Sequence, residues 1–285
     1  MVTDVSVDYI KRKVEEISTL PTLPGVVRFV GNMVEDANTS AKDLADVISR
    51  DQVLSAKILR LVNSPIYGFP GRISSITHAL VLLGFNVVKG LVLSATVFSA
   101  FAEGVQGLWE HSLGTALISR RLARVLGHKD MEEVMIAGLL HDLGKVVLAH
   151  LLPAEYNRAL QLAADKRCHI GEAEREVFGV NHALVAEWAG RSWHLPTQLI
   201  NAFEYHHRPS RCKEAAHIPA IIHIADILAR GMGYGDGGDA TLPPFDQEAW
   251  RQLAMDYGAI ETALDGVEQE FRRGSDFFLE NGARK

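Results

Sequence analysis

The chain has 285 residues, 47% of them hydrophobic, which is enough for one large domain or two small ones with a full core. Its net charge of −6 gives no electrostatic case for binding a nucleic acid or an anionic membrane. The two cysteines lack the C-x-x-C spacing of a structural zinc site, and so few cysteines favour a reducing, cytoplasmic location.

The first third of the chain carries a series of short helical patterns. Apolar residues at helical spacing predict an amphipathic helix over residues 4–18. The stretch Leu20-Pro21-Thr22-Leu23-Pro24 then predicts an extended passage, because proline disfavours helix at the residue before it. Further helices are predicted over residues 26–34, 40–50, 51–61, 76–83 and 87–100. The apolar zone at 79–101 approaches the length of a membrane span, but glycine, asparagine and lysine interrupt it, so it predicts two core helices.

The rest of the chain is also helical in pattern. Helices are predicted over residues 109–126, 153–164, 170–178, 182–193, 196–207, 219–229, 247–257 and 260–271. One more is predicted to be capped by Asp130 and to carry His141 and Asp142, while the glycine-rich segment 231–238 predicts a flexible loop. We therefore predict an all-α, multi-helix bundle in three parts. These are an N-terminal helical lobe (1–105), a metal-binding helical lobe (106–235) and a C-terminal helical extension (236–285).

The chemistry of the chain centres on residues 137–145 (Ala-Gly-Leu-Leu-His-Asp-Leu-Gly-Lys), where an apolar run leads into a histidine and an aspartate. Burying a carboxylate costs several kcal/mol unless it forms an ion pair or binds a metal, so His141 and Asp142 need partners. Imidazole and carboxylate are the usual ligands of divalent transition metals. The candidate metal ligands are His111, His141, Asp142, His182, His206, His207 and Asp226. Spacing alone leaves open whether they bind metal or are hydrogen-bonded core residues.

The remaining histidines are predicted to be structural, because a histidine in a helix is more often hydrogen-bonded than metal-bound. They are His78, His128, His150, His169, His194, His217 and His223. His223 is a partial exception, since it lies three residues before Asp226 on the same helix face and is placed to support a ligand.

Several motifs together resemble a known family. Trp109-Glu110-His111-Ser112, the His141-Asp142 stretch and Ile224-Ala225-Asp226 resemble the H…HD…D signature of the HD superfamily of metal-dependent phosphohydrolases. The stretches at residues 20–24, 59–64, 76–84, 181–183 and 204–209 narrow the resemblance to the HDOD family, the HD-related output domains of bacterial signalling proteins. The likeness covers roughly residues 15–230 and implies an HD-domain-like helical core.

The resemblance implies roles for the candidate residues. One metal ion would be held by His111, His141, Asp142 and Asp226, and a second by His182, His206 and His207 with Asp142 bridging. The ions would be iron, manganese, zinc or nickel, one or two per chain. Asp142 and Lys145 would be the catalytic residues of an active member. Lys145 would either meet a substrate phosphate or be a solvated lysine at a helix end.

Three functions remain open from the sequence. The first, which the resemblance favours, is a regulatory or signalling module that binds a nucleotide or other phosphate-bearing ligand, or a signalling protein. The second is an active phosphohydrolase or phosphodiesterase, and the third is a metal-free helical scaffold. Two departures disfavour the activity of the related HD-GYP phosphodiesterases: residues 208–212 read Arg-Pro-Ser-Arg-Cys in place of Gly-Tyr-Pro, and Gly107 stands where some of those enzymes have a third-metal glutamate.

Overall fold

The computed structural model describes residues 6–16, 33, 39–49, 52–64, 67, 73–88, 90–92, 105 and 107–282. These residues contain helices and no strand, so the predicted all-α class is confirmed. The predicted extended passage at 20–24, most of the helix at 26–34 and residues 93–100 lie outside the described residues, and the three-part division of the chain stays a prediction.

The helices are numbered here in chain order. They are α1 (Val7–Glu16), α2 (Ala41–Ser49), α3 (Gln52–Val62), α4 (Ile76–Leu83), α5 (Leu108–Val125), α6 (Met131–Leu140), α7 (Leu143–Leu151), α8 (Pro153–Lys166), α9 (Ile170–Phe178), α10 (His182–Ser192), α11 (Thr197–Tyr205), α12 (His217–Gly231), α13 (Gln247–Gln252), α14 (Tyr257–Leu264) and α15 (Val267–Gly282). Residues 85–88 and 90–92 are also helical. The predicted helix at 247–257 is two elements, α13 and the start of α14.

Local capping chemistry fixes the ends of the N-terminal helices. Before α2, the amide of Ser40 donates to the Asp43 carboxylate at 3.0 Å and the amide of Asp43 donates to the Ser40 hydroxyl at 3.2 Å, which together form a capping box. The hydroxyl of Ser75 caps α4 by accepting the amide of His78, and Gly84 ends α4 with a φ of +82°. The side chain of Asn63 holds the next loop by exchanging two hydrogen bonds with the backbone of Ile73, at 2.7 and 2.8 Å.

Helix α5 is the central element of the fold, since α6, α12, α14 and α15 all pack against it. Small residues allow the closest of these contacts. A β-carbon at Gly138 on α6 would lie 2.9 Å from the Ser119 hydroxyl oxygen and 3.2 Å from the Cα of Ala116 on α5. A larger residue at position 138 would therefore push α6, which leads to His141, away from α5, which carries His111.

The structure corrects the prediction of one continuous helix through His141 and Asp142. Helix α6 ends at Leu140 and α7 begins at Leu143, so the pair forms a two-residue turn between two helices. The prediction that Asp130 caps α6 is also wrong for its side chain, which makes no capping hydrogen bond. The carboxylate of Asp130 instead pairs with His217 at 2.7 Å. Asp142 precedes α7 without a capping hydrogen bond, which leaves both of its oxygens available to the site.

Helices α6 and α7 with their turn form a stretch, Met131–Leu151, that is long and apolar enough to cross a membrane. However, 83% of its most apolar window is buried inside the protein. Such burial is typical of a core helix, and these two helices do form the wall of the site described next.

Candidate metal centre

The first group of ligands comes from three elements that meet around α5. His111 lies in the first turn of α5, His141 in the turn after α6, and Asp226 in the middle of α12. Their ligand atoms lie within 4.8 Å of one another, and each side chain is at most 1% exposed. The closest approach is 3.1 Å, between His111 Nε2 and Asp226 Oδ1.

The second group comes from the start of α10 and the end of α11. His182 is the first residue of α10, positioned by Asn181, whose side chain caps that helix. His206 and His207 follow directly after α11. Nε2 of His182 lies 3.4 Å from Nε2 of His206 and 2.9 Å from Nε2 of His207, so three imidazole nitrogens converge on one point.

Asp142 lies between the two groups. Its Oδ2 atom is 3.6 Å from His111 Nε2 and 3.3 Å from His141 Nε2. Its Oδ1 atom is 3.4 Å from His182 Nε2 and 3.9 Å from His206 Nε2. One carboxylate thus presents one oxygen to each group, and all seven predicted ligands come together in a single buried centre.

Unpaired buried atoms indicate that this centre fits metal ions. Four of its ligand atoms make no well-aligned hydrogen bond among the described residues: His111 Nε2, His141 Nε2, Asp142 Oδ1 and Asp226 Oδ2. Buried polar atoms without partners are rare and costly, and here they all point into one space. Three or four nitrogen and oxygen donors around each point match the donor number and chemistry of a divalent transition metal.

The protonation states also suit metal binding. Burial lowers the pKa of His206 to about 3 and that of His182 well below its usual value, so both rings are neutral with a free lone pair. Burial by itself would raise the pKa of Asp142, but His141 and Lys145 outweigh it and hold that pKa well below its usual range. The carboxylate is therefore ionised at neutral pH.

Hydrogen bonds on the outer ring nitrogens orient several of these histidines. Nδ1 of His141 donates to the carbonyl of Gly138 at 2.7 Å, and Nδ1 of His206 donates to the carbonyl of Phe203 at 2.8 Å. Each bond places a ring proton on Nδ1 and turns Nε2 toward the centre. Burial by itself would lower the pKa of His141, but Asp142 outweighs it and raises that pKa, which favours a proton on Nε2 that a bound metal ion would displace. His141 and His206 are thus oriented with Nε2 toward the centre, whereas Nδ1 of His111 and Nδ1 of His207 have no hydrogen-bond partner among the described residues.

Glu174 on α9 orients His182, and sequence reasoning missed it. Its Oε2 atom lies 2.6 Å from His182 Nδ1 and accepts the backbone N–H of His182 at 2.8 Å. Burial raises the pKa of Glu174 to about 8, so its carboxyl group is neutral at physiological pH. A glutamate eight residues before a ligand belongs to no motif, and only its contact with His182 in the folded protein reveals its role.

Replacing Glu174 by alanine is expected to weaken zinc binding at the second group by about 10- to 100-fold, because His182 loses the partner that fixes its ring. Glu174→Gln, which keeps a side-chain acceptor for both bonds, is expected to stay within a few-fold of the wild type. Competition against a chromophoric chelator measures both constants. Equal zinc affinity for the alanine variant and the wild type would contradict this role.

Lys145 is fully buried, so the alternative of a solvated lysine at a helix end is wrong. It lies in the first turn of α7, where the helix dipole disfavours a cation. Two partners stabilise its ammonium group there: Asp142 Oδ2 at 2.6 Å and the carbonyl of Gly237 at 2.7 Å. The lysine thus connects the central carboxylate to the glycine-rich segment after α12.

Residues 233–241, which overlap the segment 231–238 predicted to be a flexible loop, make hydrogen bonds to several helices; we call them the strap. The amide of Asp236 donates to the carbonyl of Gly107 at 3.0 Å, and Asp239 accepts the amide of Ile170 at 2.9 Å. Gly235 has a φ of +68°, and a β-carbon there would overlap the carbonyl of Gly107. The strap therefore crosses the starts of α5, α7 and α9, next to the ligands.

Arg230 is a second buried cation that sequence reasoning missed. Its Nε donates to Asp226 Oδ1 at 2.8 Å, and its guanidinium reaches the carbonyl of Thr241 at 3.1 Å and Asp239 at 3.4 Å. It pairs with Asp226 at i+4 spacing on α12, a pattern that the sequence does contain. The arginine holds the ligand carboxylate and the strap together.

Two further histidines support the centre. His223, as predicted, is placed to support a ligand: Nδ1 donates to the carbonyl of His206 at 2.8 Å and Nε2 accepts the amide of Asp246 at 3.0 Å. His169, which the sequence placed among the structural histidines, caps α9 but also lies edge-on to His207, with ring centroids 4.7 Å apart.

Comparisons with known proteins identify the family of this chain. The family model of the HDOD domain matches residues 20–209, about two thirds of the chain. This chain belongs to the HDOD family. The HDOD chain is also 25% identical, over 221 residues, to an uncharacterized protein of Treponema pallidum (strain Nichols), and it spans 43% of the length of that relative.

Solved structures share the fold over nearly the whole HDOD chain. An HDOD domain protein with unknown function from Geobacter sulfurreducens is 25% identical, with a TM-score of 0.65 and coverage of 96% of this chain and 95% of that one. A protein named as a candidate phosphohydrolase from Shewanella amazonensis SB2B has 23% identity, a TM-score of 0.67 and coverage of 94% and 97%. One named as a candidate signal transduction protein from Marinobacter aquaeolei VT8 has 19% identity, a TM-score of 0.66 and coverage of 91% and 58%.

Proposed function

We propose that this HDOD protein is a cytoplasmic regulatory module whose buried centre holds two divalent transition-metal ions and, through them, a phosphate-bearing ligand. The observation that supports it most is the position of Asp142, with one oxygen toward each histidine group. Under this proposal His111, His141 and Asp226 hold one ion, and His182, His206 and His207 hold the other. A signalling protein would read the ligand-bound state, and neither nucleic acid nor membrane is expected as a partner.

Charge balance favours an anionic ligand. Three carboxylates (Asp142, Asp226 and Asp239) face two cations (Lys145 and Arg230) around the centre, which leaves one net negative charge. Glu174 adds none because its pKa is about 8. Two divalent ions would leave three uncompensated positive charges in a buried space, where unpaired charge is costly. A phosphate group, with two negative charges and several oxygens, would compensate most of that excess.

His169 supplies a donor suited to such a ligand. Its Nδ1 atom accepts the backbone N–H of Gly171 at 3.2 Å, so the proton of the neutral ring lies on Nε2. That N–H is buried and has no partner among the described residues, and the ring lies against His207. A phosphate oxygen at the second group would accept from it. We therefore assign His169 to ligand binding rather than to metal binding.

The proposal is tested by calorimetric titration of inorganic phosphate and of AMP into metal-loaded protein and into protein stripped by a chelator. Binding is expected for the metal-loaded protein alone, with AMP at least as tight as phosphate. Metal-loaded protein that binds neither probe would overturn the ligand assignment. Protein that takes up no metal would overturn the metal centre itself and leave the helical scaffold as the remaining function.

His169→Asn is expected to weaken phosphate binding by about 10-fold or more, because one hydrogen bond to a charged group contributes about 1.5–3 kcal/mol. Asparagine is a good capping residue, so α9 keeps its N-cap and its stability. Metal content, measured by mass spectrometry, is expected to stay at the wild-type value. Unchanged phosphate affinity in this variant would remove His169 from the ligand site.

A second candidate function, an active phosphohydrolase, is favoured by the contact between the two residues predicted as catalytic. Nζ of Lys145 lies 2.6 Å from Asp142 Oδ2, inside the centre, and one structural neighbour is named as a candidate phosphohydrolase. Bound metal ions would supply charge that polarises water and neutralises a phosphate oxygen. Lys145 would orient Asp142 and, on leaving Gly237, reach the phosphate. Release of phosphate from AMP, or conversion of a cyclic dinucleotide to its linear form, by the metal-loaded protein, lost in Lys145→Met, would establish it.

A further inference from the structure

A second cluster of ligating side chains lies on the surface, apart from the centre. His128 follows α5, Asp130 precedes α6, and His217 is the first residue of α12. Their ligand atoms all lie within 4.8 Å of one another, and the three side chains are partly exposed. His217 Nε2 is 2.7 Å from Asp130 Oδ2, and the rings of His128 and His217 stack in parallel with centroids 4.4 Å apart.

Helix capping does not account for the orientation of Asp130. Asp130 occupies the N-cap position of α6, where its carboxylate would normally accept a helix N–H, yet it makes no such bond and turns to His217. Two imidazoles stacked face to face within 9° of parallel would repel each other if both were protonated. The cluster thus brings two ring nitrogens and one carboxylate oxygen within 4.8 Å of one another. Because stacked rings direct their in-plane lone pairs parallel to each other, one ring would rotate for both to hold the same ion.

We propose that His128, Asp130 and His217 form a surface site for one divalent transition-metal ion, separate from the buried centre. Two imidazole nitrogens and one carboxylate oxygen make a set that suits zinc, cobalt or nickel, with the remaining positions left to water. Because the side chains are partly exposed, an ion reaches the site from solvent without any opening of the core.

The position of the site suggests a structural clamp. Helix α5 carries His111 near its other end, α6 leads to His141, and α12 carries Asp226. An ion at the surface cluster would tie together the far ends of the three helices that present the first group of ligands. Ten residues of α6 separate the two sites, which is about 15 Å along a helix. The clamp would hold the angles between these helices and thereby the ligand positions.

The test is a titration with cobalt(II), whose visible absorption reports imidazole and carboxylate ligation. Wild-type protein is expected to bind one equivalent more than His128→Gln or His217→Gln, or to bind that equivalent at least about 10-fold more tightly. Because the readout is a difference between variants, cobalt taken up by the buried centre cancels, and the result is independent of the proposed function. Cobalt is also expected to raise the melting temperature of the wild type more than that of either variant.

Three controls make the outcome decisive. His150→Gln removes an exposed histidine at the end of α7 and is expected to bind cobalt as the wild type does. Asp130→Asn tests the carboxylate without changing either ring. Circular dichroism melts confirm that each variant is folded before titration. Equal cobalt stoichiometry and affinity in the wild type, His128→Gln and His217→Gln would overturn the proposal.

Discussion

Asp142→Ala is expected to remove both metal ions from the buried centre, not one. Oδ2 of Asp142 faces His111 and His141, while Oδ1 faces His182 and His206, so a single side chain serves both groups. The measurement is metal content per chain by mass spectrometry after purification without added ions. A variant that retains one full equivalent would rule out bridging by this carboxylate.

The same substitution is expected to destabilise the fold by about 3–5 kcal/mol, because the ammonium of Lys145 loses its charged partner while it stays buried. The double variant Asp142→Ala, Lys145→Met separates the two effects. Methionine has a similar length and no charge, so stability is expected to recover substantially while the metal content stays at zero. A double variant that is no more stable than the single one would show that the pair does not account for the loss.

Gly144→Ala is expected to cost about 3 kcal/mol of stability and to weaken metal binding at the second group. Gly144 lies in the first turn of α7 against the start of α10. A β-carbon there would overlap the carbonyl oxygen of His182, and it would lie 2.7 Å from its carbonyl carbon and 3.0 Å from the amide nitrogen of Ala186. Backbone atoms cannot rotate away as a side chain can, so α10 and its ligand must shift.

Gly231→Ala is the matched control for this prediction. Gly231 is the last residue of α12, and a β-carbon there meets nothing within 4 Å. Alanine is the better helix former by about 1 kcal/mol, so this variant is expected to be as stable as the wild type or slightly more stable. Denaturant unfolding and zinc affinity measure both variants. A Gly144→Ala protein with wild-type stability would contradict the close approach of α7 and α10.

The helices could be predicted largely because their apolar residues recur at helical spacing and their ends carry ordinary caps. The Ser40–Asp43 capping box and the Gly84 cap are examples. The break between α6 and α7 could not be predicted in this way, since the residues on both sides of it are apolar and suit a continuous helix. The turn allows His141 and Asp142 to face one centre. Local helix propensity carries no information about this requirement of the site.

The seven ligands could be chosen from the sequence because each is a histidine or an aspartate in an apolar context and matches the HD pattern. The residues that support them could not. Glu174 and His169 act through contacts between different elements, and no local pattern sets them apart from surface residues. Arg230 does pair with Asp226 at i+4 on one helix, but the sequence does not show that this pair is buried. Lys145 was singled out, but its burial depends on Gly237, 92 residues away.

The strap has a consequence for how the protein acquires its metal. It makes hydrogen bonds to Gly107, Lys145 and Ile170, and the ligands beneath it are almost all inaccessible to solvent. Exchange of an ion would require these hydrogen bonds to break together, so we expect chelators to strip the buried centre slowly even when they bind metal tightly. The identity of the resident ion would then be decided by which metal is abundant while the chain folds, and it would persist for the lifetime of the molecule.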